Sequence, residues 1–126
     1  MNNLKFRAWD KTTKKMSKVT AIDFSTKPFR VFYKAYGNEN YFNQDAILMQ
    51  STGLFDKNGK EIFEKDIVQY LDGEYSFIGV VEISAFGVFA KDKYDNYNFE
   101  DFADENTKKA DVVVIGNIIE DKELLR

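Results

Sequence analysis

The chain reads as mainly β: a small SH3-like barrel over residues 51–126, an N-terminal β extension over residues 1–50, and one short helix near residues 98–104. Three observations lead there. Rings make up 16% of the 126 residues, with 12 Phe and 7 Tyr, and large rings suit half-buried pleated surfaces. From Ile67 onward, short apolar segments alternate with turn signals at the spacing of a small barrel. Residues 112–118, Val-Val-Val-Ile-Gly-Asn-Ile, are too apolar for a solvent-facing edge, so they are expected to lie centrally and close the barrel. The length suits a single domain over residues 1–126. One proline and seven glycines argue against a linker-rich or disordered chain.

The elements follow in order. Residues 4–9 predict the first strand, with Leu4, Phe6 and Ala8 on one face and Lys5, Arg7 and Trp9 on the other. Asp10 to Lys14 is a polar turn. Met16, Val19, Ile22 and Phe24 mark a second strand with imperfect alternation, and residues 29–33 a third. Gly37-Asn38-Glu39-Asn40 reads as a loop. Residues 46–50 are a short apolar run, after which Thr52-Gly53-Leu54 is expected to turn the chain. Asp56-Lys57-Asn58-Gly59 is a hairpin turn, because Asn-Gly tolerates the positive φ that tight hairpins require. Residues 67–71 form a strand entered through Glu64-Lys65-Asp66, where Asp66 is expected to accept hydrogen bonds from backbone amides. Asp72-Gly73-Glu74 turns into a strand over residues 77–83, where Gly79 signals a bulge or a close backbone approach. Residues 87–90 pair with it. Asn98 then caps a short helix, whose first turn carries Glu100 and Asp101 and whose inner face carries Phe99, Phe102 and Ala103.

Composition excludes several chemistries. There is no Cys and no His. That removes disulfides, thiol nucleophiles, Ser-His and Cys-His catalysis, and zinc sites built on those ligands. No run of about 18 apolar residues exists to span a membrane. Lys5, Arg7 and Asp10 interrupt any N-terminal apolar stretch of the signal-peptide kind. No GxGxxG or GxxxxGK[ST] motif is present to cradle phosphates. The formal net charge is −3, unevenly spread. Residues 1–36 hold nine Lys or Arg against two Asp; the remainder hold nine against nineteen Asp or Glu. Such polarity steers association with charged partners, or folds into a mixed surface.

One segment is more specific. Residues 50–68 read QSTGLFDKNGKEIFEKDIV; the chain opens with KFRAWD from Lys5, followed by Lys14-Lys15-Met16, and closes with IGNIIE from Ile115 and then Glu123-Leu124-Leu125. In this order the three blocks resemble the YopX family of small phage and prophage proteins. The resemblance implies the fold and a bacterial host-cell cytoplasm as the habitat. The family has no settled biochemical activity, so it implies no chemistry. Lys65 stands where that family usually has glycine, Ile119 where it has an aromatic, and Lys122 where it has proline. Gly53, Asp56, Asn58, Gly59, Asp66, Gly116 and Asn117 form the structural motif.

Three surfaces carry functional readings. Lys5, Arg7, Trp9, Lys14 and Lys15 combine cations with a ring, as nucleic-acid-binding barrels do; the acidic total argues against that reading, and the plain alternative is a solvated strand. Tyr94, Tyr97, Glu100 and Asp101 interleave acids with rings and suit contact with a basic protein; the plain alternative is a loop and short helix packing rings inward. Glu61, Glu64 and Asp66 are close enough in sequence to suggest a divalent cation site or acid–base work, but turn-forming carboxylates explain them better. The expectation is a non-enzymatic protein with no catalytic residue, cofactor or metal. It acts by protein contact, as a homo-oligomer and with a host or phage protein as a further partner. A nucleic-acid-binding module is the alternative, and a carboxylate-metal enzyme ranks third.

Overall fold

A computed structural model describes residues 5–43 and 45–125; the expected start of the first strand at Leu4 lies outside them. The chain is mainly β, and it divides into two compact units, residues 1–50 and 51–126, with the division inside one long strand.

In the first unit, β1 (Phe6–Asp10), β2 (Lys15–Asp23), β3 (Arg30–Ala35) and β4 (Asn38–Phe42) form an antiparallel meander. The first half of β5 (Ile47–Phe55) pairs with β1 on its other side. Ala8, Val31 and Tyr33 make the buried centre. The imperfect alternation of the second strand has a local cause. The β2–β3 register shifts between Val19 and Ala21, and a bulge resets which side chains face inward. The expected loop at residues 37–40 is instead a two-residue turn, Tyr36-Gly37, followed directly by β4. Both turn residues have positive φ, 54° and 76°, the geometry that matches strand twist in tight hairpins.

In the second unit, β6 (Glu61–Phe63) pairs with the second half of β5. Thr52-Gly53-Leu54 does not turn the chain. It is absorbed into β5 as an irregularity between Ser51 and Phe55, with Gly53 at φ 78°. Then come β7 (Asp66–Asp72), β8 (Tyr75–Ser84), β9 (Gly87–Lys91), β10 (Asn96–Asn98), a 3-10 turn (Phe99–Asp101), β11 (Ala103–Asp104), β12 (Lys109–Ala110), β13 (Val113–Asn117) and a second 3-10 turn (Lys122–Leu125). Gly79 in β8 is a close approach, not a bulge: a Cβ there would sit 3.1 Å from the Lys91 backbone. The short helix is a single 3-10 turn. Asn98 does cap it, its side-chain oxygen accepting from the Glu100 amide, but the chain re-enters strand geometry at Ala103.

The expected barrel is not closed. The sheet runs β10-β9-β8-β7-β13, so the run expected at its centre lies at its edge, paired on one side by β7. Its apolar character is explained by packing, since Val112 is buried in the core and Val114 lies against it, while a loop covers the backbone edge. The Asp56 carboxylate accepts from the Val114 amide at 3.0 Å, and the Lys57 amide donates to the Val112 carbonyl at 3.0 Å. A hairpin loop therefore satisfies the edge where a barrel would use a strand. The core of this unit combines Ile62, Val68, Phe77, Val81, Ala90, Phe99, Ala110 and Val112.

Candidate functional site

The structural motif gathers around buried acids. Asp56 is 1% exposed; its Oδ1 accepts from the Asn58 and Lys60 amides at 2.9 Å each, and its Oδ2 reaches β13. The Gly59 amide donates to the Asp56 carbonyl, with Gly59 at φ 85°. Asp66, 1% exposed, accepts from the Phe63 amide at 2.8 Å. Asn117 accepts from the Ile119 and Glu120 amides and donates to Glu120 Oε1. Its own amide donates to Asp121 Oδ2, and Gly116 makes room for that carboxylate, since a Cβ there would lie 2.5 Å from Asp121 Oδ2. These groups hold turns. Glu61 accepts from Ser51 Oγ across the β5–β6 hairpin. Among the described residues no three acids converge in a way that would hold a metal ion.

The basic set is divided. Arg7 and Trp9 are half-buried on one face of β1, opposite Lys18 and Met16 of β2, and Lys5 is exposed just before that strand. Lys15 pairs in register with Asp10, on the other face, and Lys14 sits in the β1–β2 turn at φ 57°. That turn is held by Asp10. Its Oδ1 accepts from the Thr12 and Thr13 amides at 2.8 and 3.1 Å, and from Asn43, while its Oδ2 accepts from the Tyr33 hydroxyl at 2.8 Å. Burial works to raise the Asp10 pKa, but the bonds from Tyr33, Thr13, Thr12 and Asn43 together hold it below the usual carboxylate value.

The acidic aromatic set converges only in part, and it is larger than the sequence suggests. Tyr97 stacks on Phe77 at 3.9 Å and 3° between planes, and Tyr70 stacks on Phe77 at 5.4 Å and 15°. Tyr75 meets Tyr70 and Tyr97 edge-on at 6.0 and 6.4 Å, and Phe102 closes on Tyr70 and Phe77 at 5.8 and 5.7 Å. Five rings and Asp101 thus line an open cleft with a volume of about 280 Å³. Tyr75 remains 56% exposed at its mouth. Tyr94 is 86% exposed on the β9–β10 loop, and Glu100 is exposed on the 3-10 turn; neither lines the cleft.

Carboxylates grip the phenols. Tyr70 donates to Asp72 at 3.1 Å, and Tyr97 to Asp92 at 3.0 Å. Burial first, then these acids, push both phenol pKa values up. Amides of Asp95 and Tyr94, with the Tyr97 hydroxyl, hold the Asp92 pKa down. Both phenols therefore stay neutral and Asp92 stays charged at neutral pH, leaving an electron-rich surface with an anion at its edge. Sequence reasoning missed Tyr70, Tyr75 and Phe77 as part of this group and placed Phe102 only on the inner face of the short helix. A signal was present: closing the hairpin on Gly73-Glu74 places Asp72 opposite Tyr75 and Tyr70 opposite Phe77.

The fold and site define a mainly β, two-unit protein with buried turn-holding acids and an acidic aromatic cleft. Residues 5–126 match the family described as YopX protein, and the chain belongs to that family. It is also similar to a solved structure, the crystal structure of protein EF1440 from Enterococcus faecalis, with 30% identity, a TM-score of 0.69 and coverage of 100% of both chains. A search of the curated proteins found no match.

Proposed function

We propose that this YopX-family chain is a non-enzymatic phage or prophage accessory protein of the bacterial host cytoplasm, acting by protein contact and principally by self-association. The carrying observation is the exposure of three large rings of the second unit, Tyr75 at 56%, Phe86 at 86% and Tyr94 at 86%. Large exposed rings with a charged surround mark contact surfaces. Family membership supports the phage or prophage setting. Among the described residues no helix is long and apolar enough to cross a membrane. A host or phage protein is the further partner class.

Light scattering at low and moderate salt tests this reading. The expected mass exceeds the 14.7 kDa of one chain; a single-chain mass at all accessible concentrations overturns self-association. Nucleic-acid binding is the second reading, favoured by one observation: exposed Lys5 lies beside the strand face that carries Arg7 and Trp9. It expects an affinity that falls steeply with salt and with Lys14→Glu/Lys15→Glu, and a gel assay with no shift removes it.

A further inference from the structure

We infer that the acidic aromatic cleft of the second unit receives the basic β1–β2 hairpin tip of a second copy, making a head-to-tail contact. This rests on the self-association reading above and names the two surfaces that would meet.

The cleft suits a cation. Ring faces attract ammonium and guanidinium groups, and the attraction strengthens when water is excluded. Here Tyr70, Phe77 and Tyr97 are stacked, Tyr75 and Phe102 flank them, and Asp101 lines the same space. Asp72 and Asp92 accept from two of the phenols, which adds negative charge at the ring edges. Among the described residues, Asp72, Asp92, Asp95 and Asp101 have no ion-pair partner. A carboxylate-rich aromatic cleft selects a basic occupant.

The same chain offers one. Residues 1–50 hold nine Lys or Arg against four acids, while residues 51–126 hold nine against seventeen. Within the first unit, Lys11, Lys14 and Lys15 cluster at the hairpin tip, are exposed, and have no ion-pair partner among the described residues. The tip is also preorganised. Asp10 is buried and bonded to the Thr12 and Thr13 amides, and the Lys14 amide donates to the Asp10 carbonyl at 2.8 Å. Little freedom is therefore lost when the tip docks. Tip and cleft are different surfaces, so the contact is heterologous: each chain donates one tip and accepts another, and assembly continues until it closes into a ring or remains open.

Complementation tests this. One variant carries Tyr75→Ala and Asp101→Lys, which disables the cleft. The other carries Lys11→Glu and Lys15→Glu, which disables the tip. Circular dichroism melts check that both fold. Each alone is expected to associate about tenfold more weakly or worse than the parent chain. Mixed, they restore one intact tip–cleft pair, so light scattering should find species that stop at two chains and weaken with added salt. If the parent chain assembles while both variants still assemble, or the mixture stays single-chain, the tip–cleft contact is overturned and self-association stands by another surface. If the parent chain is single, both readings fall together.

Discussion

Asp10 and Tyr33 illustrate how one buried bond sets a pH range. Asp10 has its pKa held down, so its contribution to stability is complete above the unfolded carboxylate value of about 4 and is lost as pH falls through the lower folded value. Tyr33 has its pKa pushed up, by burial first and then by Asp10, so its contribution is complete below about pH 10 and is lost only as pH rises through the higher folded value. Tyr33→Phe should cost about 1–2 kcal/mol at neutral pH, because a buried carboxylate loses a donor. Its acid-unfolding midpoint should also rise; an unchanged midpoint in a pH titration followed by circular dichroism would refute the coupling. Lys65 is the second case. It adopts φ 71°, with its amide donating to Val81 and its carbonyl accepting from Ile118. Glycine carries no Cβ penalty in this region. Lys65→Gly is expected to stabilise the chain by roughly 0.5–1 kcal/mol, read as a higher Tm, and Lys65→Val to lower it.

Among the elements, the β5–β6 hairpin hangs on a single side chain. Asp56 joins its own turn to the β13 edge through three amide donors. Asp56→Ala removes all of these acceptors and exposes the strand edge, at an expected cost of about 3 kcal/mol by denaturant melt. Hydrogen exchange at Val114 should accelerate in the same variant, and protection retained at that amide would show that another group covers the edge. Gly116→Ala should displace the Asp121 carboxylate from the Asn117 amide and cost about 1–3 kcal/mol. The Asp56–Gly59 turn of this region was legible in sequence because the Asn-Gly signal is local. The straight passage of β5 through Gly53 was not, since a glycine at positive φ marks a bulge as readily as a turn, and only the pairing with β6 distinguishes them.

For the molecule as a whole, the charge division and the exposed rings matter most. Phe86→Asp with Tyr94→Asp should leave the melting temperature nearly unchanged, because both side chains are 86% exposed. The same pair of changes should lower assembly in light scattering if these rings lie within the contact; unchanged mass would confine the contact to other surfaces. The candidate cleft was half visible in sequence. Tyr97 and Asp101 were named for their mixture of rings and acids, whereas Tyr70, Tyr75 and Phe77 come from two further strands, β7 and β8, and Phe102 directly follows Asp101.

Local chemistry determined the β class, the hairpin turns, the charge division and the family, because alternation, Asn-Gly pairs and motif order are properties of neighbouring residues. Tertiary structure alone decided that the second sheet stays open, that an apolar run becomes its edge, and that five rings form one cleft. Those outcomes depend on which distant group reaches a strand first. Here the Asp56 carboxylate occupies the Val114 amide, and no pattern within residues 112–118 encodes a partner 58 positions away.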